Sequence, residues 1–447
     1  MNLHQLLQRR EEEGEPIRVG LIGAGKFGSM ILSQVRRTPG MRIQGIADLS
    51  PDRARASLKQ AGWPEDQLSE KSSHYASDEG KCFITNDPSR LIAADGLDLI
   101  VDATGNPAAG IRNVLECCRR HRHVIMVNVE ADALAGPLLA LRARDAGIVY
   151  SLAYGDQPAL ICELVDWART AGFDVAAAGK GTKYLPSYHY STPDTVWRHW
   201  GFTPEMVAKG NYNPRMYNSF LDGTKSAIEM AAVANATGLT PAPDGLAFPP
   251  CGADDLPKVM RPRREGGALH HRGQVEVASS LERDGQTVFR DLRWAVYVTF
   301  AADSDYVRQC FKEYGIITDE SGNYAAMMRP YHLVGLELGV SIASVGLRRE
   351  PTGCPKGFYA DVVAVAKHDL SPLDMLDGEG GYTVYGKLMP AGDSLASGGL
   401  PIGLAHGLRL TRPVATGTLV SWDDVAVPPS DEAVSFRREM EAKLVKA

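Results

Sequence analysis

Residues 17–35 read IRVGLIGAGKFGSMILSQV, and this stretch decides the fold of the first part of the chain. It begins with an apolar run typical of a buried strand and ends in a helical pattern. Between them, Gly23, Gly25 and Gly28 stand in GxGxxG spacing. In a dinucleotide-binding domain the first glycine permits a tight turn, the second lets the backbone approach a pyrophosphate, and the third lets the helix pack on the strand.

The helix that follows the glycines adds two candidates. A helix N-terminus presents free N–H groups and the positive end of the helix dipole, so it favours bound phosphate. Lys26 and Phe27 lie at this end and join the glycines as candidate cofactor-binding residues. A lone GxGxxG is weak evidence, but here the preceding strand and the following helix complete the motif.

A second apolar run, RIQGIAD, ends at Asp48, 20 residues after Gly28. An acidic residue at this distance usually binds the ribose hydroxyls and favours NAD. Ser50 and Arg53 follow it and suit the 2′-phosphate of NADP. The residues therefore predict a nicotinamide dinucleotide and leave NAD and NADP as alternatives.

Strand and helix patterns alternate through about residue 155, as a doubly wound parallel sheet requires. One of these strands, LDLIVDATG, leads into Thr104, Gly105 and Asn106, which we expect to form a loop under the nicotinamide. The sequence thus predicts an α/β protein whose first domain, over 1–155, is a Rossmann dinucleotide-binding domain.

The pattern changes after this domain. Helices and strand-like runs over 156–350 predict an α+β catalytic domain with an open antiparallel sheet, in which Asp284 and Gly285 form the turn of a hairpin. Residues 329–347 are rich in Gly, Ser and Ala and are predicted as a helix that returns towards the first domain. Short strands and many turns over 351–447 predict a small β-rich module.

Composition narrows the class of protein. The chain has 447 residues and a net charge of -6, which gives no reason to expect a nucleic acid as partner. Its seven cysteines include no CxxC pair, which suits a reducing compartment. We see neither a signal-peptide pattern at the N-terminus nor an apolar run of membrane-spanning length. These features predict a cytoplasmic protein that acts on a small molecule, with no membrane partner.

The stretch SFLDGTKSAIEMAAVANATG, residues 219–238, carries three charges among small and apolar residues: Asp222, Lys225 and Glu229. On a helix they share one face. Lys225 is then a candidate proton donor or oxyanion stabiliser beside the nicotinamide, with Asp222 to orient it. The alternative is a surface ion pair, which is the commoner fate of such residues.

Two further groups suggest an anion site. In AGKGTKYLPSYHYSTP, Lys180 and Lys183 flank a Gly-Thr pair that we expect to form a turn at a strand end. Lys183 is also a second candidate catalytic lysine. In MMRPYHL, Arg329 suits a bidentate anion contact, and His332 lies close to it in sequence. The alternatives are a solvated basic loop and a structural histidine.

An acidic group follows strands of the first domain. Glu130, Asp132 and Asp156 come directly after predicted strand ends, where converging carboxylates would hold a divalent cation. Glu130 and Asp156 are the candidate ligands. The alternative is that Asp132 and Asp156 cap helices.

The segments GAGKFG, DATGNP, GKGTKYLP, DGTKSAIE and RPYHLVGLELG together resemble the deoxyxylulose-phosphate reductoisomerase-like oxidoreductases, distant relatives of homoserine dehydrogenase. The tail from about residue 351 resembles a SAF-type domain. The resemblance implies a homodimeric, NADPH-dependent enzyme that converts 1-deoxy-D-xylulose 5-phosphate to 2-C-methyl-D-erythritol 4-phosphate in isoprenoid precursor synthesis. It also implies that Asp222 and Lys225 serve hydride transfer. The chain departs from true reductoisomerases where it has NVE and GDQ in place of the substrate- and metal-binding NKE and DSE segments.

Three functions follow from these observations. The first is a reductoisomerase that acts on a phosphorylated substrate with a divalent cation. The second is a dehydrogenase of a sugar acid, polyol phosphate or semialdehyde, with no rearrangement and no metal. The third is a non-enzymatic sensor of the nicotinamide cofactor, whose β-rich tail binds a partner.

Overall fold

The computed structural model describes residues 2–69, 81–210 and 212–444, and the chain divides into two compact units. Unit 1 comprises Met1–Leu160 and His332–Pro355. Unit 2 comprises Ile161–Tyr331 and Lys356–Ala447. The segment expected to form a separate β-rich module thus belongs to the same unit as most of the predicted catalytic domain.

A parallel sheet forms the centre of unit 1. Its seven strands are β1 (Ile17–Ile22), β2 (Met41–Ala47), β3 (Leu68–Ser69), β4 (Cys82–Thr85), β5 (Leu99–Asp102), β6 (His123–Met126) and β7 (Tyr150–Leu152). They are ordered β3-β4-β2-β1-β5-β6-β7, and each pair is parallel. The order reverses between β1 and β5, so the crevice at the carboxyl ends of these strands is where such a sheet binds ligands. The predicted α/β Rossmann class is confirmed.

Helices connect these strands, and polar residues that follow the strands cap several of them. Helix α1 (Leu3–Glu12) precedes β1, and the connecting helices are α2 (Lys26–Val35), α3 (Pro51–Gln60), α4 (Pro88–Ile92), α5 (Pro107–Arg120) and α6 (Val129–Asp145). The side chains of Ser50, Asp87, Asn106 and Asn128 cap α3, α4, α5 and α6, each accepting a backbone N–H of the first turn. The capping residues therefore fix where each loop at the carboxyl edge of the sheet ends.

Unit 2 contains a four-stranded sheet. Its strands are β8 (Asp174–Thr182), β9 (Gln274–Ser279), β10 (Val296–Ala301) and β11 (Tyr324–Arg329), in the order β11-β10-β8-β9. The sheet is mixed rather than antiparallel, because β8 and β9 run parallel. The predicted hairpin around Asp284 and Gly285 is also wrong: β9 and β10 do not pair with each other but flank β8 on opposite sides. Only a short turn remains there, in which the backbone N–H of Glu282 donates to the carbonyl of Gln286.

Unit 2 also contains helices. They are α7 (Gln157–Thr170), in which the boundary between the units falls, α8 (Val196–Trp200), α9 (Pro204–Gly210), α10 (Pro214–Leu221), α11 (Thr224–Thr237), α12 (Leu256–Val259) and α13 (Asp305–Glu313). The side chain of Ser304 accepts the N–H of Val307 and so caps the start of α13. Helix α11 is buried along nearly its whole length, as its apolar composition predicts.

The segment 332–355 completes unit 1, but it is not the helix that the sequence predicts over 329–347. Helix α14 (Gly339–Ala343) is short and continues into a π-helical turn over Ser344–Arg348. Arg329 ends a strand because it precedes Pro330, which disfavours helical backbone at the residue before it.

The segment 332–355 contributes to the core and to the sheet of unit 1. Leu338, Ile342 and Val345 lie in the same apolar cluster as β1, and the carbonyl of Gly353 accepts the N–H of Leu152 on the edge strand β7 at 2.7 Å. The core and one sheet edge of unit 1 are therefore completed by residues far along the chain.

The C-terminal part of unit 2 is β-rich, as predicted. It contains β12 (Ala360–Ala366), β13 (Met375–Asp377), β14 (Val384–Pro390), β15 (His406–Leu410), β16 (Val425–Ala426), α15 (Ala391–Ala396) and α16 (Glu432–Leu444). Strands β12 and β14 pair antiparallel, and β13, β15 and β16 form a second small sheet. Arg437 of α16 is fully buried and pairs with Asp361 of β12. In the part of the chain that the structure describes, no helix is both long and apolar enough to cross a bilayer.

Candidate functional site

The three glycines of the first loop differ in what surrounds them. Gly23 has a φ of +97°, and a Cβ there would lie 2.7 Å from the carbonyl oxygen of Ala103. A Cβ on Gly28 would lie 2.6 Å from the carbonyl oxygen of Gly23. At Gly25 the φ is an ordinary -72°, and a Cβ would meet nothing within 4 Å. Gly23 and Gly28 are therefore required by the fold, whereas the open space at Gly25 leaves room for a ligand.

This open space lies at the start of α2. The first N–H groups of a helix have no partner within the helix, so they are available to an anion. Gly25 and Lys26 are exposed, while Phe27 is half-buried and packs on the core of unit 1. The residues present thus fit the pyrophosphate of a dinucleotide, with backbone N–H groups as the donors.

Asp48 joins the glycine loop to the start of α3. Its carboxylate is 1% exposed and accepts the N–H groups of Ala24 and Ser50, each at 2.8 Å. Arg53 donates to it from Nε and from Nη2, the latter at 2.6 Å. The guanidinium side chain itself is 56% exposed. The carboxylate is therefore already satisfied by protein donors, and the group presented to a ligand is Arg53.

A hydrogen-bond network fixes the predicted nicotinamide loop. The carboxylate of Asp102, at the end of β5, accepts the N–H and hydroxyl of Thr104 at 3.0 and 2.7 Å. Asn128 donates to the hydroxyl of Thr104 and to the carbonyl of Asn106, both at 2.9 Å. Gly105 has a φ of +64°, and a Cβ there would meet nothing within 4 Å. The loop is thus held at both ends, with an open position between them.

Sequence reasoning missed Asp102 and Asn128, although both carry a signal. Each follows the apolar part of a strand at the same edge of the sheet, and Asn128 is a favourable residue to cap the helix after it. Burial raises the pKa of Asp102, against hydrogen bonds from Asn113 and Thr104 that lower it.

The acidic residues of unit 1 give no support to the expected cation site, and Glu130 and Asp156 as its ligands stay a prediction. Glu130 lies in the first turn of α6, and Asp156 precedes α7 and accepts the N–H of Gln157 at 3.0 Å. Asp132 does not cap α6, because Asn128 does, and its buried carboxyl accepts the hydroxyl of Tyr150 at 2.7 Å. Among residues 2–69, 81–210 and 212–444 there is no group of three His, Cys, Asp or Glu side chains that would hold a metal ion. We therefore derive no step through a cation.

The buried carboxyl of Asp132 makes stability depend on pH. Burial raises its pKa to about 7, so between about pH 4 and pH 7 the folded protein retains a proton that the unfolded chain has lost. The contribution of the Asp132 carboxyl to the free energy of unfolding is complete below about pH 4 and is lost as the pH rises through 7. We expect Asp132→Asn to remove roughly 2 to 4 kcal/mol of this pH dependence. Urea unfolding at pH 5 and pH 8 measures it, and Asp145→Asn at the exposed end of α6 is the control. An unchanged pH dependence in Asp132→Asn would contradict the assignment.

In unit 2 the three charges of residues 219–238 do not share one helix face as predicted. Helix α11 starts at Thr224, after Gly223 with a φ of +87°, so Asp222 lies in the turn before it. Lys225 is half-buried in the first turn of the helix, and Glu229 is buried one turn later. Lys225 and Glu229 thus lie on the helix as predicted, whereas Asp222 lies in the turn that precedes it.

Asp222 pairs with Lys367, a residue that sequence reasoning did not identify. The Lys367 ammonium donates to the Asp222 carboxylate at 2.7 Å and to the carbonyls of Ser191 and Gly381, each at 2.8 Å. Both side chains are at most 2% exposed. Three acceptors satisfy all three N–H bonds of a buried ammonium, as burial of a charge requires. Asp222 thus forms a buried ion pair with Lys367, and an orienting role of Asp222 for Lys225 stays a prediction.

Lys180 and Lys183 are placed differently from the prediction. Gly181 and Thr182 continue β8 and do not form a turn. Lys180 is buried and forms an ion pair with Glu229 of α11. Lys183 donates to the carbonyl of His199, with its ammonium 5.8 Å from the ring centre of Trp200, and desolvation lowers its pKa. The two lysines thus have separate partners.

The other two predicted substrate residues lie in different units. Arg329 ends β11 in unit 2, where Val296 of β10 stands opposite both Arg329 and Lys180 in register. Arg329 and Lys180 therefore project from the same face of the sheet, about 10 Å apart across two strand spacings. His332 belongs to unit 1, where its Nε2 lies 3.0 Å from Nε2 of Gln157. The roles of all these residues in binding substrate stay predictions.

One family model matches part of the chain. Residues 155–338 match the family model described as the catalytic domain of oxidoreductase DRL. This match supports the coarse class of an oxidoreductase, and it covers helices α7 to α13 together with the four-stranded sheet. The search of curated proteins found no match.

Three of the solved structures that match this chain are described as dehydrogenases. A homoserine dehydrogenase from Thiobacillus denitrificans is 18% identical, with 50% of this chain and 49% of that chain covered and a TM-score of 0.35. A probable dehydrogenase from Thermotoga maritima is 12% identical, with 75% and 90% covered and a TM-score of 0.36. An apo scyllo-inositol dehydrogenase from Lactobacillus casei is 11% identical, with 38% and 46% covered and a TM-score of 0.27. The chain spans about half the length of the first structures it matches. At these sequence identities and TM-scores, the similarities do not indicate which reaction this chain catalyses.

Proposed function

We propose that this protein is an NADPH-dependent oxidoreductase that reduces a carbonyl group of a small phosphorylated substrate, in the manner of the 1-deoxy-D-xylulose 5-phosphate reductoisomerase-like enzymes of isoprenoid precursor synthesis. The observation that carries the proposal is the glycine loop. Its middle position, Gly25, opens into free space at the N-terminus of α2, at the carboxyl edge of a parallel sheet. The match of residues 155–338 to an oxidoreductase catalytic domain supports the reaction class.

The contacts of Asp48 support NADPH over NADH. A ribose 2′-hydroxyl would need a free carboxylate oxygen, but both oxygens of Asp48 already accept hydrogen bonds from the protein. The half-exposed guanidinium of Arg53 and the hydroxyl of Ser50 instead suit a 2′-phosphate, because Arg recognises phosphate through paired N–H donors. When bound, the cofactor supplies the hydride.

Neutralising Arg53 tests this preference. We expect Arg53→Met to raise KM for NADPH by about ten- to a hundredfold, because a hydrogen bond to a charged group contributes about 1.5 to 3 kcal/mol. KM for NADH should change by less than about threefold. Steady-state kinetics with both cofactors measures the two values. Arg55→Met, at a neighbouring position of α3, is the control. Equal losses for NADPH and NADH in Arg53→Met would contradict a 2′-phosphate contact.

In the proposed reaction Lys225 donates a proton to the substrate oxygen as the carbonyl is reduced. Its place in the first turn of a buried helix suits this role, since a half-buried ammonium there is shielded from bulk water. Asp222 and Lys367 hold the turn from which this helix begins, and their charges neutralise each other.

A second candidate function is a dehydrogenase of the homoserine dehydrogenase type, acting on a sugar acid, polyol phosphate or semialdehyde without rearrangement. The buried pair of Lys180 and Glu229 favours its unphosphorylated substrates, the sugar acid and the semialdehyde, because this pair engages one of the three cations that a phosphate was expected to contact. Consumption of NADPH with 1-deoxy-D-xylulose 5-phosphate, and of NAD(P) with a panel of aldonates and tetrose phosphates, separates the two.

The same assays repeated with EDTA complete the test. A reductoisomerase that needs a divalent cation stops, whereas the simple dehydrogenase continues. A protein that binds NADPH but turns over none of these substrates contradicts both candidates and leaves the cofactor sensor.

A further inference from the structure

His189 of unit 2 lies between two oxygen atoms on different segments. Its Nδ1 lies 2.7 Å from the backbone carbonyl oxygen of Asp222, and its Nε2 lies 2.9 Å from the hydroxyl of Tyr184. The imidazole ring stacks on Tyr385 with 4.4 Å between ring centres. Tyr184 in turn stacks on Phe248 at 3.8 Å. The histidine is thus fixed by two hydrogen bonds and an aromatic face.

These contacts determine the tautomer of His189. A carbonyl oxygen only accepts hydrogen bonds, so the Nδ1 atom carries the proton and donates it to Asp222. Burial lowers the pKa of His189, so the ring is neutral at pH 7 and its Nε2 accepts the hydroxyl of Tyr184. His189 is therefore in the neutral Nδ1–H form, held in it from both sides.

The ring also packs on Gly223, the residue that directly precedes α11. A Cβ on Gly223 would lie 3.2 Å from Cε1 of His189 and 3.4 Å from the ring of Phe248. Gly223 has a left-handed backbone, and the N–H of Thr224 after it donates to the Asp222 carboxylate at 2.9 Å. The turn Asp222–Gly223 is thus held at its carbonyl by His189 and at its carboxylate by Lys367. Both contacts are made by Asp222, three residues before Lys225.

We propose that His189 is a positioning residue for Lys225: its Nδ1–H holds the carbonyl of Asp222 and so fixes the turn from which the helix carrying Lys225 begins. This inference rests on the proposed function, in which Lys225 donates the proton. His189 does not itself transfer a proton in this account, and its hydrogen bond to Tyr184 serves to fix the tautomer.

Charged groups on three elements influence the protonation state of His189. Asp222, in the turn before α11, favours the imidazolium, whereas Lys367 after β12 and Lys387 of β14 disfavour it. Tyr184, after β8, faces Nε2, and Tyr385 of β14 faces the ring. Two lysines against one aspartate, together with burial, keep the ring neutral and its two hydrogen bonds in the stated direction.

Two substitutions separate the contacts of the ring. His189→Asn places an amide N–H near the position of Nδ1, so it keeps the donor to Asp222 and loses the contact with Tyr184. His189→Gln places its amide near Nε2 and loses the donor to Asp222. Hydrogen exchange of the peptide that covers residues 219–230 reports the turn without any substrate. NADPH oxidation with 1-deoxy-D-xylulose 5-phosphate reports turnover, and ¹⁵N spectra of labelled histidine report the tautomer.

We expect His189→Gln to speed amide exchange in residues 219–230 at least about tenfold, with exchange elsewhere in unit 2 unchanged, and to lower kcat at least about tenfold at constant KM for NADPH. His189→Asn should rescue both measurements to within about threefold of the native protein. Equal effects of the two variants, or none, would overturn the inference, as would an Nε2–H tautomer in the native spectrum. If the native protein does not turn over the substrate, the proposed function fails, while the exchange measurement still decides the role of His189.

Discussion

A Lys225→Met variant is expected to lose turnover by about a hundred- to ten-thousandfold, the usual contribution of a positioned proton donor, while it still folds and binds NADPH. Methionine keeps the length and the apolar stem of the side chain but has no proton to donate. Lys225 is half-buried in the first turn of α11, so the substitution leaves the surrounding core in place. The measurements are kcat with the substrate that the native protein accepts, cofactor affinity by fluorescence titration, and the thermal midpoint.

The control for this variant is Lys258→Met. Lys258 is exposed in α12 and forms an ion pair with Asp255 at 3.7 Å, so its loss should cost less than about 1 kcal/mol and leave kcat unchanged. A folded Lys225→Met enzyme that binds NADPH and turns over at the native rate would show that the lysine has a structural role only.

The second large effect is expected at Gly25. Gly25→Val should weaken NADPH binding by about a hundredfold or more, because the branched side chain would occupy the space where backbone N–H groups meet the pyrophosphate and would displace at least two charge-assisted hydrogen bonds. The fold should persist, since the backbone at Gly25 has an ordinary φ and a Cβ there meets no protein atom within 4 Å. Titration with NADPH and a circular dichroism spectrum measure the two quantities.

Gly392→Val is the matched control for Gly25→Val. Gly392 likewise has an ordinary φ and no atom within 4 Å of a Cβ, but it lies in α15 of unit 2. NADPH affinity should be unchanged in this variant. If Gly25→Val also binds NADPH with native affinity, the glycine loop is not part of the cofactor site.

The sequence was sufficient for features that depend on short-range pattern. The spacing of Gly23, Gly25 and Gly28 between a strand and a helix predicts the loop, because Gly23 and Gly28 lie too close to backbone atoms for a Cβ and Gly25 leaves open space. Asp48 was correctly identified as the acid after the second strand. Its use inside the protein, by Arg53 and Ala24, depends on side-chain geometry that the pattern does not contain.

Contacts between segments that are far apart in the sequence could not be predicted from short-range pattern. Lys367 and Asp222 are 145 residues apart, and nothing near either residue indicates the other. The strands on either side of Asp284 looked like a hairpin because both are apolar and a turn separates them, but the central place between them is taken by β8. Strand propensity describes each segment and does not specify its neighbours in the sheet.

The return of segment 332–355 to unit 1 has a consequence for how the protein is made. A ribosome completes β1 to β7 long before it reaches Leu338, Ile342 and Val345, which the core of that sheet requires. At roughly 5 to 20 residues per second, synthesis of residues 161–331 takes about 10 to 30 s, during which the nascent first unit has an open apolar core and an unpaired edge at β7. During this interval the apolar core of unit 1 is therefore accessible to chaperones and open to aggregation.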